Sequence, residues 1–345
     1  MNILIGLIII AIGAFCQSSS YVPINKIKNW SWESYWIVQG VFAWLICPFL
    51  GALLAVPEGH TLMEFFTNSD SFSVGMTVLF GVLWGIGGLT FGLSMRYLGV
   101  ALGQSIALGT CAGLGTIMGP ILLNIFFPEQ DPLSALTFSV ILGVVVTLLG
   151  IAIIGVAGSM KSAALSEEEK KAAVKDFNFP KGLAIALLAG FMSGCFNVGL
   201  AFGKNVTIPG CEIDPLYASL PATLLVTIGG FLTNAIYCFY QNSKNKTWSD
   251  YKKGSVWGNN LVFCFLAGAL WYSQFFGLSL GQGFFEEGSV MMTLSFCILM
   301  ALNVTFSNVW GIILKEWKGC SQKTIMVLLL GIAVLILSTF LPQLI

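Results

Sequence analysis

Amide and indole side chains lie inside long apolar stretches of this chain, where polar groups are costly and usually face a cavity or a partner helix. Trp271 and Gln274 are three residues apart in the string WYSQFF and can share a helix face. Trp84 lies near the middle of another stretch, away from the interface that tryptophan favours. Aromatic rings stack on the apolar faces of sugars and amides bind hydroxyl groups, so this mixture is typical of a small-ligand pocket. A place in the aromatic belt at the lipid interface is the alternative for Trp271.

Three further amides complete the expected binding set. Asn197 continues a strip of small residues, Gly190 and Gly194, along one face of its segment, and a hydrogen bond to a neighbouring helix is the alternative. Gln17 and Gln104 lie in the expected inner halves of their segments, where they could line a vestibule. The expected substrate-binding residues are therefore Gln17, Trp84, Gln104, Asn197, Trp271 and Gln274.

No carboxylate lies at the centre of an apolar segment, so charged residues at segment ends are the candidates for proton coupling. Lys204 and Asp214 end and begin consecutive segments, and an ion pair between them would act as a proton-sensitive gate. Snorkelling to the interface is the alternative for Lys204. Asp214-Pro215 also fits a helix start, with Asp at the N-cap and Pro at the first helical position. Glu286, which precedes the ninth segment, is the third expected coupling residue.

The remaining residues that could do chemistry predict neither a metal site nor a catalytic site. His60 is the only histidine and is expected to be a bystander in an outer loop. The nine cysteines show no CxxC or Cys/His spacing, and only Cys211 lies in an outer gap. We therefore expect no metal ligands, no cofactor other than a coupling proton, and no enzymatic activity.

Ten long apolar segments must position these residues. The chain is 345 residues long, 56% hydrophobic and 9% charged, whereas a soluble protein would be about a quarter charged. Roughly 20 apolar residues span a bilayer, and ten such segments use most of the chain. Their ranges are 2–22, 34–56, 72–95, 99–124, 134–158, 181–204, 215–240, 256–279, 289–313 and 323–344. The sequence predicts an all-α integral membrane protein with ten transmembrane helices in a lipid bilayer, and no nucleic-acid partner because no basic patch of that kind is present.

Basic residues orient these segments. Every Lys and Arg except Lys204 lies in a gap that follows an odd-numbered segment or, like Lys181 and Lys323, is the first residue after such a gap. By the positive-inside rule these gaps are cytoplasmic, and both termini lie on the periplasmic or extracellular side. The expected location is the bacterial inner (cell) membrane, crossed many times.

The segments divide into two groups of five, and an odd number per group means that the halves insert with opposite topology. Many secondary transporters are built from such inverted repeats. The ten residues from Gly6 resemble the ten from Gly182, and a Leu-Trp pair followed by FGLS occurs at the same place in segments 3 and 8. The predicted division is a first five-helix repeat over 1–158, a cytoplasmic linker over 159–180 and a second repeat over 181–345.

Six short strings resemble the L-rhamnose–proton symporter family, a branch of the drug/metabolite transporter superfamily. They occur in order from segment 1 to segment 9 and are WSWE (30–33), WGIG (84–87), MRYLG (95–99), DPLY followed by LP (214–221), WYSQFF (271–276) and LKEW (314–317). The resemblance implies ten membrane helices with outer termini and proton-driven uptake of L-rhamnose and L-lyxose across the bacterial inner membrane. It also places the lysine of the family's sixth helix at Lys204.

We therefore expect uptake of L-rhamnose with a proton by alternating access. L-lyxose or a neutral 6-deoxy sugar other than L-rhamnose remains open, because residues 280–290 depart from the family pattern in length and charge. The coupling ion and the oligomeric state are also open. A drug or metabolite exporter of the same fold is the alternative, although segment 1 lacks the carboxylate that exporters of cations commonly carry.

Overall fold

The computed structural model describes residues 2–98, 100–164, 178–315 and 317–341, and this part of the chain contains helices and no strands. Ten helical stretches are long and apolar enough to cross a membrane. They are α1 (Ile3–Ser19), α2 (Trp32–Leu53), α3 (Ser71–Leu98), α4 (Val100–Phe126), α5 (Phe138–Ala163), α6 (Phe179–Gly203), α7 (Leu220–Asn245), α8 (Gly254–Gln282), α9 (Val290–Ile313) and α10 (Gln322–Phe340). The predicted all-α protein with ten membrane-spanning helices is confirmed.

Short elements lie between the long helices. One helical turn, Tyr21–Ile24, follows α1, and a six-residue helix, Leu62–Thr67, lies in the connection between α2 and α3. Turns of 3₁₀-helix occupy Pro128–Gln130, Pro132–Ala135 and Thr247–Lys252. The α5 helix therefore begins at Phe138, four residues later than the apolar pattern predicts.

The predicted helix start at Asp214-Pro215 is wrong. Asp214 Oδ1 accepts a hydrogen bond from the backbone N–H of Leu216 at 2.9 Å, which closes a turn instead of a helix. The α7 helix begins at Leu220, with Pro221 in its first turn. A proline in the first helical turn loses no intrahelical hydrogen bond, so Pro221 satisfies the same preference as Pro215.

The α2 helix is not α-helical throughout. Regular α-helix over Trp32–Gly40 and Cys47–Leu53 flanks a π-helical segment over Val41–Ile46. Such segments are rare and are frequent at functional sites, because they turn the side chains that follow to a new direction. Trp44 lies inside this segment.

Two compact units are interleaved along the chain. Unit 1 comprises Met1–Gly85 and Gly199–Phe285, and unit 2 comprises Ile86–Val198 and Glu286–Ile345. Unit 1 contains α1, α2, α7 and α8 with the first half of α3, and unit 2 contains α4, α5, α9 and α10 with most of α6. The predicted repeats over 1–158 and 181–345 stay a prediction, and most of the predicted linker 159–180 lies outside the described residues.

Glycine contacts bring the helices of unit 1 close together. A Cβ on Gly13 of α1 would lie 2.7 Å from the carbonyl oxygen of Ser273 in α8, and a Cβ on Gly277 would lie 3.1 Å from that of Ile9. Small residues at a helix interface permit this approach in lipid, where the hydrophobic effect does not drive helices together. The α8 helix, which carries Trp271 and Gln274, is thus held against α1 at backbone distance.

Unit 2 packs α5 against α10 and α4 against α9. A buried hydrogen bond joins α5 to α10, from Thr147 Oγ1 to Ser338 Oγ at 3.1 Å. Gly150 of α5 lies against Leu335 of α10, whose side chain would meet a Cβ at 2.6 Å. Most of α9 is buried, so this helix lies in the interior of the unit.

Candidate functional site

Four tryptophans of unit 1 form one aromatic group, the tryptophan cluster, consisting of Trp36, Trp44, Trp84 and Trp271. The ring centroids of Trp84 and Trp271 are 5.7 Å apart. Trp44 lies edge-to-face with both, 6.0 Å from Trp84 and 5.9 Å from Trp271. Trp36 adds a fourth ring at 5.7 Å from Trp44. The two tryptophans singled out from the sequence therefore lie together, and α2 supplies two more.

Contacts with α7 fix the orientation of the cluster. Gly230 lies under Trp84 so closely that a Cβ there would overlap the indole. Trp36 Nε1 donates to Asn234 Oδ1 at 3.0 Å, and Asn234 Nδ2 donates to the carbonyl of Gly230 at 2.8 Å. The backbone of α7 thus holds the ring of Trp84, and an amide side chain of α7 holds the ring of Trp36. These contacts preorganise the tryptophan cluster.

Three buried polar atoms lie on the two helices that carry Trp44 and Trp271. Gln39 Oε1, Trp44 Nε1 and the Tyr272 hydroxyl have no hydrogen-bond partner within the described part of the chain. Their residues are only 2%, 3% and 6% exposed. An unpaired buried polar atom costs about 1–3 kcal/mol, so such groups call for a ligand or a water molecule. Their concentration on α2 and α8 marks this region of unit 1 as the candidate binding site.

Gln274 and Gln17 lie on the paired helices α8 and α1. Gln274 is 3% exposed, and its Nε2 donates to the carbonyl of Trp271 at 3.1 Å. Gln17 is half-buried, and its Oε1 accepts a long hydrogen bond from Ser18 at 3.5 Å. It lies one turn beyond Gly13, where α1 touches α8. Both amides therefore belong to the α1–α8 pair.

The other two predicted amides belong to unit 2. Asn197 of α6 is half-buried, and its Nδ2 donates to the carbonyl of Gly115 in α4 at 2.8 Å. The bond crosses from α6 to α4 at the place where Gly115 and Gly194 let the two helices approach closely. Asn197 thus makes the interhelical bond that was its alternative role, and a role in substrate binding stays a prediction. Gln104 is on α4, but its side chain lies outside the described part of the structure.

The predicted coupling residues are exposed. Lys204 follows the end of α6, and Asp214 lies in the turn before α7. Neither forms an ion pair within the described part of the chain. Glu286 is exposed in the connection before α9, where its carbonyl accepts from the N–H of Ser289 at 3.1 Å. The structure does not bring Lys204 and Asp214 together, and the proposed gate stays a prediction.

A buried polar network at the other end of unit 1 contains two carboxylates. Asp250 Oδ2 accepts from Ser31 Oγ at 2.7 Å and from Ser34 Oγ at 3.0 Å, and its Oδ1 is 2.6 Å from Lys253 Nζ. Burial opposes ionisation of Asp250, but these hydrogen bonds outweigh it and lower the pKa to about 2. The network ties the connection before α2 to the connection after α7.

Glu33 is the second carboxylate of this network and has no cationic partner among the described residues. It is 5% exposed, and its Oε1 accepts from Asn245 Nδ2 at 3.0 Å and from Thr247 Oγ1 at 2.8 Å. Neutral donors alone therefore hold a buried carboxylate in the first turn of α2. This is the helix that also carries Gln39 and Trp44.

Some of these residues could have been found from the sequence. Trp44 lies far from both ends of its apolar segment, which is the property that singled out Trp84. Gln39 is likewise an amide inside an apolar segment. Asp250 carries no such signal, because it lies in a lysine-rich connection and its partners Ser31 and Ser34 are more than 200 residues away.

A separate cavity of about 560 Å³ in unit 1 is unsuited to a polar ligand. Every side chain that lines it is apolar: Leu45, Ile46, Phe49, Leu50, Leu62, Met63, Phe66, Leu224 and Ile228. A ligand with several hydroxyl groups would lose its hydrogen bonds to water there without replacing them. The tryptophan cluster with its buried polar neighbours remains the better candidate.

Comparison with known proteins identifies relatives along the whole chain. The family profile of the L-rhamnose-proton symport protein (RhaT) matches residues 1–344. The L-rhamnose-proton symporter of Yersinia pestis (strain Pestoides F) is 34% identical over 350 residues, covering 97% of this chain and 96% of the relative. The symporters of Yersinia pseudotuberculosis serotype O:3 (strain YPIII) and Yersinia pestis bv. Antiqua (strain Antiqua) match with the same identity and coverage. This chain therefore belongs to the L-rhamnose-proton symport protein (RhaT) family.

Proposed function

We propose that this protein imports L-rhamnose, or a closely related neutral sugar such as the pentose L-lyxose or another 6-deoxyhexose, with a proton across the bacterial inner membrane by alternating access. Relatives that match nearly the full chain carry the name of this activity. The observation that carries the proposal at the site is the tryptophan cluster, with unpaired buried polar atoms on the helices that carry Trp44 and Trp271.

The tryptophan cluster suits the apolar side of a deoxy sugar. A 6-deoxyhexose has a methyl group and C–H bonds that an indole can cover, together with ring hydroxyls that need partners. Trp44, Trp84 and Trp271 would cover the apolar face. The carbonyl oxygen of Gln39 would accept from a sugar hydroxyl, and the hydroxyl of Tyr272 could donate or accept. A neutral sugar requires no countercharge, which agrees with the absence of charged side chains from the cluster itself.

Gln274, Gln17, Asn197 and Gln104 remain part of the proposed sugar-binding set. Gln274 is the best supported of the four, because it is buried on α8 within one turn of Trp271. The amide of Asn197 donates to Gly115, which leaves its carbonyl oxygen as the atom that could accept from a sugar.

We propose Glu33 as the proton-binding residue on the cytoplasmic side. A buried carboxyl can change its charge state during transport only if no permanent cation holds it ionised, and Glu33 is bonded to neutral donors. On the outer side, the Lys204–Asp214 gate and Glu286 remain proposed elements that would act in another conformation.

Uptake of labelled L-rhamnose into proteoliposomes tests the proposal. An imposed inward proton gradient is expected to drive accumulation, which a protonophore abolishes and unlabelled L-rhamnose competes away. Absence of accumulation by folded, correctly oriented protein would refute the activity, and a panel of other sugars and efflux substrates would then identify the transported compound.

The Glu33→Gln variant separates coupling from sugar binding. The amide is nearly isosteric with the carboxyl group but does not titrate, so proton-driven accumulation should be lost. Exchange of labelled for unlabelled L-rhamnose without a gradient should persist. Accumulation at the normal level by Glu33→Gln would exclude Glu33 as the proton-binding residue.

A further inference from the structure

Three side chains on the connections that follow α2 and α6 form a relay. His60 Nδ1 lies 2.6 Å from Glu64 Oε2, and His60 Nε2 lies 3.3 Å from Cys211 Sγ. The side chains of His60 and Glu64 are 34% and 32% exposed, and Cys211 is half-buried. All three groups belong to unit 1.

A helix cap fixes the carboxylate of this relay. Glu64 Oε1 accepts from the backbone N–H of Thr61 at 3.1 Å and from its hydroxyl at 3.0 Å, which leaves Oε2 for His60. Hydrogen bonds from His60 and Thr61 hold the pKa of Glu64 below its usual range, so the carboxylate is ionised. It can only accept, so the neutral imidazole carries its proton on Nδ1 and directs the Nε2 lone pair at the thiol.

Several contacts hold the thiol in place against the imidazole. Cys211 packs against an apolar cluster that contains Phe65 and Ile208, one residue from each connection. Ser69 Oγ donates to the carbonyl of Thr207 and accepts from its N–H, both at 2.9 Å. The distance between His60 and Cys211 therefore does not depend on their own hydrogen bond alone.

We propose that Cys211 is an activated thiol and a site of covalent modification by small disulfides and soft carbon electrophiles. His60 acts as the general base, and Glu64 positions it. A thiol beside an imidazole that a third group orients is the arrangement that activates nucleophilic cysteines. The proposal does not depend on the transported substrate.

With a small disulfide the step is an exchange. The thiol proton moves to His60 Nε2 as Cys211 Sγ attacks one sulfur of the disulfide, and the S–S bond of the reagent breaks. The departing thiolate takes the proton from the imidazolium, so the products are a mixed disulfide at Cys211 and one free thiol. With a maleimide, Sγ adds to the double bond, and the proton ends on the neighbouring carbon.

Most of the other charged groups on the two connections are acidic. The titratable and charged residues on the two connections are Glu58, His60, Glu64, Asp70, Lys204, Glu212, Asp214 and Tyr217. Acidic groups predominate, and negative charges near a thiol disfavour the thiolate. Reactivity near neutral pH must therefore come through His60, which makes the role of this residue testable.

Site-resolved alkylation of the full-length protein in liposomes tests the relay. N-ethylmaleimide is added at pH values from about 5 to about 9, and peptide mass spectrometry gives separate labelling rates for Cys211 and Cys320. Cys320 is also half-buried, and it serves as the internal control because the chain has no second histidine. His60→Asn and Glu64→Gln are the variants. Glutamine preserves the helix cap at this position but carries no charge.

Labelling of Cys211 in the wild-type protein should already be fast near pH 6.5, where labelling of Cys320 is slow. His60→Asn should slow it by about tenfold or more near pH 6.5, Glu64→Gln should slow it less, and Cys320 should not change. Equal labelling rates of Cys211 and Cys320 near pH 6.5 in the wild-type protein would overturn the proposal, even if a variant failed to fold. Equal Cys211 rates in wild-type protein and folded His60→Asn would do the same.

Discussion

Trp44 is the central residue of the tryptophan cluster, because its ring contacts Trp36, Trp84 and Trp271. Its Nε1 has no hydrogen-bond partner within the described residues. Edge-to-face contacts are worth about 0.5–1.5 kcal/mol each beyond the burial of area. Their geometry also decides which ring faces a ligand. A change at Trp44 should therefore affect sugar binding more than its own contact with the sugar suggests.

We predict that Trp44→Phe raises the KM for L-rhamnose uptake by about fivefold or more, since a loss of about 1 kcal/mol corresponds to roughly that factor. The phenyl ring preserves an aromatic core but removes the indole N–H and part of the stacking surface. Uptake kinetics and quenching of tryptophan fluorescence by L-rhamnose measure the effect. Trp248→Phe is the matched control, because Trp248 is 44% exposed and stacks on Phe239 outside the cluster. An unchanged KM in Trp44→Phe, Trp84→Phe and Trp271→Phe alike would remove the cluster from the pocket.

Asp250 makes a prediction about stability and pH. Its folded pKa of about 2 lies below the unfolded value of about 3.9. The ionised group therefore stabilises the fold above about pH 4, by an amount on the order of 2 kcal/mol, and this contribution disappears as the pH falls towards 2. Asp250→Asn should lower the Tm of detergent-solubilised protein by several degrees at neutral pH.

The difference in Tm between wild-type protein and Asp250→Asn should shrink as the pH falls below about 4. Glu129→Gln is the matched control, because this carboxylate is exposed in a connection of unit 2 and its removal should leave the Tm unchanged. A Tm difference for Asp250→Asn that stays constant down to the lowest pH would show that Asp250 acts through packing and not through its charge.

The sequence predicts residue types better than it predicts residue partners. Trp84 and Trp271 were selected because polar groups inside apolar segments are costly and usually face a cavity or a partner helix, and these two rings do meet. The partners of Asn197 and Asp250 depend on helix pairing, about which a single apolar segment carries no information. His60 and Cys211 were expected to be unconnected, and their contact spans 151 residues of chain.

At the scale of elements, the close approach of α1 to α8 decides where Gln17 and Gln274 can lie. Gly13 faces backbone atoms of Ser273 and Gln274, which cannot move aside as the end of a flexible side chain can. A methyl group at this position must push the two helices apart. The cost of such overpacking is typically about 1–3 kcal/mol.

We therefore predict that Gly13→Ala lowers the Tm and reduces uptake, whereas Gly75→Ala in α3 leaves the protein at least as stable. Gly75 is the matched control, because a Cβ there meets nothing within 4 Å and alanine favours an exposed helix by up to about 1 kcal/mol. Thermal unfolding in detergent and L-rhamnose uptake are the measurements. Equal Tm values for the two variants would show that the α1–α8 interface is looser than its backbone distances indicate.

Element boundaries show where pattern reasoning ends. Apolar length predicts all ten membrane helices, because the bilayer sets their length. The sequence placed the start of α7 too early, because Pro215 and Pro221 each fit the first turn of a helix. The turn closed by Asp214 places the helix start at Leu220, so Pro221 lies in the first turn. The π-helical segment of α2 has no sequence signal of its own.

At the scale of the molecule, helix contacts within the units favour the predicted inverted repeat. In the predicted repeat each helix corresponds to the one five positions away, so the α1–α8 contact corresponds to the α6–α3 contact. Both pairs approach through glycine. The pairs α2–α7, α4–α9 and α5–α10 each join a helix to its own counterpart. Such exchange symmetry is what a pseudo-twofold axis would produce, and the repeat remains our proposal.

Trp84 and Trp271 fit the same scheme. They occupy equivalent places in segments 3 and 8, each followed by the string FGLS, and their ring centroids are 5.7 Å apart. Residues related by a twofold axis can touch only near that axis. In transporters built from inverted repeats the substrate lies at the repeat interface, so the proposed repeat is consistent with the sugar site that we propose at the tryptophan cluster.

The π-helical segment of α2 contains one residue more than a regular α-helix would place in the same turn. Deleting one residue from Val41–Ile46 would let the segment relax to regular α-helix, and Cys47–Leu53 would keep its orientation relative to the first half, because the segment already absorbs one extra residue. Gly51 would then still leave room for the Tyr272 hydroxyl. A chain of this family one residue shorter in this segment would thus keep both its membrane span and the same wall of the pocket.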